Sequence, residues 1–233
     1  VFAFENQKIT SFSPIASVSN VVYLESPLVS QPSFDGGRLR MSGNVISRCA
    51  EDEFAIDDPY EFYRVLDRII SGHIVGSKKR SGRVLWEYAR RDGERFPYQE
   101  CATGIKAFAI LSQLYGHGCL HDGTVLIIDE PEAHLHPAWV VEYAALLIKI
   151  VENIGVRVLV ASHSPDMVNA LQSFALCRNM ADRTAFYIAE KCGSGDPFRF
   201  KFRPQDVSVE KIFDSFNSAY ALIEKKAAEL RKR

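Results

Sequence analysis

The chain has 233 residues, 47% of them apolar, and 28 basic against 29 acidic side chains give it a formal net charge of −1. That is enough apolar material for a sizeable core in one domain, with room for a subdomain. Near-neutral charge excludes a global electrostatic preference for nucleic acid or a membrane surface, and no apolar run approaches the ~20 residues that span a bilayer.

Five cysteines, Cys49, Cys101, Cys119, Cys177 and Cys192, are scattered with no C-x-x-C pair. That spacing points to a reducing compartment, with neither a disulfide framework nor a zinc site. No signal peptide is visible, and the expected location is cytoplasmic. The chain starts at Val1 rather than at a methionine, which raises the expectation of an N-terminally incomplete sequence.

Along the chain, Val21 to Leu24 reads as a short buried strand, followed by the polar, Pro/Gly-rich loop "SPLVSQPSFDGG". Pro59 to Ile70 reads as a helix, with Pro59 in its first turn and Phe62, Leu66 and Ile69 at helical spacing. Gly72 to Gly82 reads as a loop carrying Lys78, Lys79 and Arg80, with Arg83 beside it. Arg83 to Tyr98 has the pattern of a hairpin turning at Asp92-Gly93. Gly104 to Tyr115 reads as a helix with Thr103 as its candidate N-cap.

Val125 to Ile128 and Val156 to Ala161 are apolar runs without polar alternation, apart from Arg157, so both faces of each strand should be covered. Between them Pro137 to Asn153 forms a helix with one apolar stripe: Val140, Val141, Ala144, Leu147, Ile148 and Val151. Strand, helix and strand in this order make a βαβ unit with parallel strands. Thr184 to Ile188 and Phe198 to Phe202 are later strand candidates, together a possible hairpin. Val209 to Leu230 is helical; such a stripe more often docks on its own domain than forms a coiled coil, and three heptads are too few to choose between them.

The stretch "TVLIIDEPEAHLHP", Thr124 to Pro137, ends its strand on two carboxylates. In a parallel α/β sheet ligands sit beyond the carboxyl ends of the strands. Adjacent carboxylates there are costly unless a positive group neutralises them, and Mg²⁺ carrying nucleotide phosphates would do so. Asp129 would then hold the metal and Glu130 would orient or deprotonate a water. The plain alternative is an aspartate that caps a turn and a glutamate in solvent.

Two further stretches bear on that choice. "ASHSP" places His163 just past the next strand, where an imidazole can meet a γ-phosphate; a satisfied buried histidine is the alternative. "CATGIKAFAIL" places Thr103, Gly104 and Lys106 at a helix N-terminus, where amides, a hydroxyl and a lysine form an anion site; an ordinary capped helix is the alternative.

In this order the motifs resemble the C-terminal half of an ABC-type ATPase head: signature, Walker B, D-loop and H-loop. More closely, "VVYLESPL", "ATGIKAFAIL", "VLIIDEPEAHLHP" and "ASHSP" look like the AAA-family ATPases of prokaryotic defence operons, the OLD-like and Septu (PtuA-like) group related to SMC heads. The resemblance runs from Val21 to about Leu222 and is most specific over Ala102 to Pro165.

The resemblance implies an α/β fold: a P-loop NTPase core of parallel buried strands with flanking helices, plus antiparallel hairpins and a C-terminal helix. Residues 1–233 would be the C-terminal part of a single head domain, with a helical and hairpin insertion over about 59–98 and the C-terminal helix over 208–233. It implies an ATPase using ATP and Mg²⁺, with Asp129 as the metal-holding Walker B acid and Glu130 and His163 as catalytic residues. Thr103, Gly104 and Lys106 would be the signature, acting in trans; Ala102 departs from the serine that ABC transporters carry nearby. His134, Leu135, His136 and Pro137 would lie in the D-loop at an interface. The implied assembly is a homodimer or higher homo-oligomer closed by an ATP sandwich. An antiphage role with a separate HNH-type nuclease partner follows from the same resemblance; no membrane partner is expected, because no apolar run is long enough to span a bilayer.

G-x-x-x-x-G-K-[ST] does not occur in the sequence. The chain taken alone is therefore expected to bind ATP poorly and to be inactive by itself. The other readings are half of a split ATPase, or a non-hydrolysing scaffold that binds a partner or DNA or RNA. In the last of these Lys78, Lys79, Arg80 and Arg83 would contact phosphates, and Trp86 and Tyr88 would stack on bases; a solvated loop is the alternative. His134 and His136, with Glu130 and Glu132, also suggest a transition-metal site.

Overall fold

The computed structural model describes residues 2–5, 8–12, 18–24, 33–35, 38–41, 44–48, 61–78, 84–192, 199–206 and 208–231. They fall into two compact units, Val1–Ser162 and His163–Arg233.

In the first unit, β1 (Phe2–Glu5) pairs antiparallel with β2 (Lys8–Phe12). Next in sequence come β3 (Asn20–Leu24) and a meander of β4 (Ser33–Asp35), β5 (Arg38–Met41) and β6 (Asn44–Arg48). Strand β4 lies inside the stretch expected to be loop. Helix α1 runs over Phe62–Ile70; its expected first-turn Pro59 lies outside the described residues.

Strand β7 (Gly72–Lys78) replaces the expected loop and pairs with β8 (Val84–Arg90), which pairs in turn with β9 (Arg95–Pro97). The β8–β9 turn falls at Asp92-Gly93 as the sequence indicates: the Gly93 amide donates to the Arg90 carbonyl, and Gly93 has φ +93. Strand β7 is missed from sequence because glycines weaken a strand signal. Gly72 and Gly76 are there for space: a Cβ on Gly76 would sit 2.7 Å from the Trp86 ring across the pair.

The site-bearing part is a three-stranded parallel sheet. Strand β10 (Thr124–Asp129) lies between β3 and β11 (Arg157–Ala161). The register aligns Tyr23, Ile127 and Leu159, then Leu24, Ile128 and Val160. Helix α3 (Pro137–Ile154) makes the crossover, and α2 (Thr103–Gly116) precedes β10.

Phe108, Leu111 and Leu114 of α2, Leu126 of β10 and Leu146, Leu147 and Ile150 of α3 are fully buried. Each such side chain contributes roughly 1.5–3 kcal/mol of transfer free energy. Phe108 meets Trp139 and Tyr143 edge-on at 5.7 and 5.3 Å, the favoured aromatic geometry. Helix α3 stops at Gly155, whose left-handed φ of +83 suits a residue with no Cβ.

The two faces of this sheet are covered unequally. Val22, Leu24, Leu126 and Ile128 are buried, but Val21, Tyr23 and Leu159 on the opposite face are exposed. The expectation of two covered faces is corrected here: an uninterrupted apolar run does not by itself separate a fully buried strand from a half-buried one.

In the second unit, α4 (Pro165–Cys177) was not anticipated. The hairpin of β12 (Phe186–Lys191) and β13 (Phe200–Gln205) is present, each strand starting two residues and ending three residues later than expected. Helix α5 spans Glu210–Arg231. Val209, Ile212, Phe213 and Phe216 at its start pack with Val168, Phe186 and Ile188. Farther along, Tyr220, Ile223 and Leu230 are exposed, so only the first part of the apolar stripe docks on its own unit.

Among the described residues Cys101, Cys177 and Cys192 are free thiols. Among the described residues no helix is long and apolar enough to cross a membrane.

Candidate functional site at the carboxyl end of the parallel sheet

Strand β10 ends at Asp129, half-buried, and Glu130 follows it, exposed. The Glu130 amide donates to the Ala161 carbonyl at 2.8 Å, which carries the β10–β11 ladder one residue past Asp129. Glu130 then turns with φ +47, a left-handed conformation that non-glycine residues adopt at a cost and that clusters at functional sites. Pro131 is buried behind it.

Two backbone bonds shape the exit. Ala133 N–H donates to the Glu130 carbonyl and Leu135 N–H to the Glu132 carbonyl, both at 2.9 Å. A second left-handed residue, His134 at φ +63, redirects the chain into α3. His136 caps that helix, its Nδ1 accepting from the Ala138 amide at 3.2 Å. Pro137 takes the first helical position, where its missing N–H costs nothing.

Below this turn, Ser162 Oγ donates to Glu132 Oε1 at 2.7 Å, between half-buried side chains. In the sequence Glu132 stands out only as a metal-ligand candidate, and Ser162 carries no signal of a role. A single sequence carries no signal for a bond thirty residues long.

The signature candidates lie at the start of α2. Thr103 is the first helical residue rather than the cap; Ala102 holds the cap position without a side-chain bond, because its methyl group has no acceptor. Gly104 is buried, and a Cβ there would lie 2.7 Å from the Trp139 ring and 3.3 Å from Leu135 Cδ2. The glycine therefore allows the starts of α2 and α3 to approach closely within one chain. Lys106 Nζ donates to the Gln99 carbonyl at 2.7 Å and lies 5.9 Å from the centroid of the Tyr98 ring. Burial pushes the Tyr98 hydroxyl pKa well above its ordinary value.

His163 is exposed and opens the second unit, directly before Ser164, whose hydroxyl accepts from the Met167 amide to cap α4.

Several expectations do not assemble. Among the described residues no group of three or more His, Cys, Asp or Glu side chains could hold a metal ion, so His134 and His136 do not form a transition-metal site with Glu130 and Glu132. Lys78 is part of β7, not of a loop; Lys79, Arg80 and Arg83 lie outside the described residues. Tyr88 is 3% exposed, with its hydroxyl bonded to the Ile70 carbonyl, so its ring is not available for stacking on a base. Trp86 is half-buried and meets His117 edge-on at 6.2 Å.

Residues 28–169 match a family model described as "AAA domain, putative AbiEii toxin, Type IV TA system". The chain belongs to this AAA family. Among solved structures it is similar to the Smc head domain with coiled coil and joint from Pyrococcus yayanosii, at 16% identity and TM-score 0.50 over 69% of this chain and 28% of that one. It is also similar to the Smc head domain from Pyrococcus furiosus bound to the C-terminal domain of ScpA, at 15% identity and TM-score 0.45 over 67% of this chain and 37% of that one. A third match is to an SMC ATPase structure concerned with ATP-driven dimerization and DNA-stimulated activation, at 14% identity and TM-score 0.46 over 67% of this chain and 89% of that one. No curated protein matches the sequence.

The chain thus spans about a third of the length of the two Pyrococcus chains it matches. At these identities the likeness is one of fold: a parallel sheet with flanking helices, as in the Smc head domain from Pyrococcus yayanosii, accompanied here by antiparallel hairpins and a C-terminal helix.

Proposed function

We propose that the protein is an ATP-hydrolysing head of the ABC/AAA type that works as a nucleotide-driven switch. The observation that carries this reading is the pair Asp129 and Glu130 at the carboxyl end of a parallel sheet, with the Glu130 backbone pinned by its bond to Ala161.

The donor set suits Mg²⁺-ATP: a half-buried carboxylate at the strand end with an exposed one beside it. Asp129 would hold the cation, which when bound neutralises phosphate charge. Glu130 accepts a proton from the attacking water as the water oxygen bonds to the γ-phosphorus and ADP leaves. His163 donates to a γ-phosphate oxygen. Thr103, Gly104 and Lys106 close over the nucleotide of a second copy, and His134 to Pro137 lie along the same interface. The phosphate-cradling loop is not supplied by any G-x-x-x-x-G-K-[ST] motif in these 233 residues. We therefore expect this chain alone to be inactive, and ATP turnover in the cytoplasm to need a phosphate-cradling loop supplied with it.

ATP-driven dimerization is the subject of one similar SMC structure, and we carry that behaviour over as a homodimer around two nucleotides. We assign the protein to antiphage defence, in the Septu PtuA-like group, with a separate HNH-type nuclease as the controlled partner. Light scattering of the full-length product tests the switch: ATP is expected to double the mass of the Glu130→Gln variant. A mass that ATP leaves unchanged in both wild type and variant overturns the switch.

A further inference from the structure

We infer that Ser162 and Glu132 form a positioning clasp that holds the Glu130 turn in its working conformation. The inference rests on the ATPase reading for its catalytic meaning and on geometry for the clasp itself.

Strand β10 leaves the sheet at Asp129 and strand β11 at Ala161, paired in register. Two bonds join the chain just beyond these ends. One is backbone to backbone, from Glu130 N–H to the Ala161 carbonyl at 2.8 Å. The other is side chain to side chain, from Ser162 Oγ to Glu132 Oε1 at 2.7 Å. Glu130 therefore lies between two ties to the neighbouring strand, one at its own amide and one two residues on.

Its φ of +47 is a conformation that an L-residue leaves readily when unrestrained. A charge-assisted bond between half-buried groups is stronger than a neutral one in water. The clasp is thus placed to keep Glu130 from relaxing. Neither Ser162 nor Glu132 is assigned a place at the reacting atoms; they act through the orientation of Glu130.

The test uses the full-length product with Ser162→Ala, Ser162→Thr, Glu132→Ala and the Ser162→Ala/Glu132→Ala double variant. We expect Ser162→Ala and Glu132→Ala each to lower kcat about tenfold with KM within about twofold. The double variant should lose less than the product of the two single losses, because the bond the two residues share is lost in all three. Ser162→Thr, which keeps the hydroxyl, should restore kcat to within about twofold of wild type. Multiplicative losses in the double variant, or no rescue by threonine, would overturn the clasp.

A second readout needs no turnover. Amide hydrogen exchange at Glu130 and Ala133 should quicken several-fold in Ser162→Ala and return to the wild-type rate in Ser162→Thr. Unchanged exchange would also overturn the clasp. A wild type that hydrolyses no ATP refutes the ATPase reading, and the exchange measurement alone then decides the clasp.

Discussion

The amide of Glu130 bonds to the carbonyl of Ala161, the last residue of the neighbouring strand. The main chain that carries the exposed carboxylate is therefore held by the sheet rather than by a free loop. Sites built on strand ends hold their side chains more tightly than sites built on loops.

Gly104 is held against Trp139 within its own chain. Gly104→Ala should cost about 1–3 kcal/mol in chemical denaturation without nucleotide, as overpacking usually does. Pairing it with Trp139→Ala should recover part of that loss. An unchanged midpoint for Gly104→Ala would show that the contact is slack and leave the glycine to nucleotide binding alone.

His136 accepts the Ala138 amide and so caps α3. His136→Ala should destabilise the fold by about 1 kcal/mol, whereas His136→Asn, an equally good cap, should stay close to wild type. Equal stability of both variants would show that this bond is not made in solution.

His134 has φ +63. A β-branched residue there is strained, so His134→Val should lose roughly 1–2 kcal/mol relative to His134→Gly. The difference in denaturation midpoint between these two variants measures the strain directly.

Burial lowers the pKa of His117 from its ordinary 6.5. The unfolded chain then takes up a proton more readily than the native one, so this contribution to stability is complete above pH 6.5 and is lost as pH falls through the lower native value. His117→Phe, which keeps an aromatic edge toward Trp86, should flatten that part of the stability profile. A profile with the same slope in both proteins would place the titration elsewhere.

The strand–helix–strand unit was legible because its signals are local and strong. Apolar runs define β10 and β11, Pro137 marks the start of α3, and Asp129-Glu130 marks the strand end. The Asp92-Gly93 turn was legible for the same reason. Helix α4 was not: Ser164 and Pro165 mark its start, but the same residues belong to the motif around His163. Strand β7 was hidden by its glycines, whose reason is the Trp86 ring across the pair. Thr103 looked like a cap, yet the helix starts one residue earlier than its hydroxyl required. The Ser162–Glu132 bond joins residues thirty apart, and only the parallel register brings them together.

The most direct measurement of the central claim is ATP turnover by the full-length gene product, wild type against Glu130→Gln, at matched and saturating Mg²⁺-ATP. The account predicts that the variant still binds nucleotide but loses at least about a hundredfold in kcat, the scale of general-base catalysis. Turnover by Glu130→Gln equal to wild type, or a wild-type protein that hydrolyses no ATP, would contradict it.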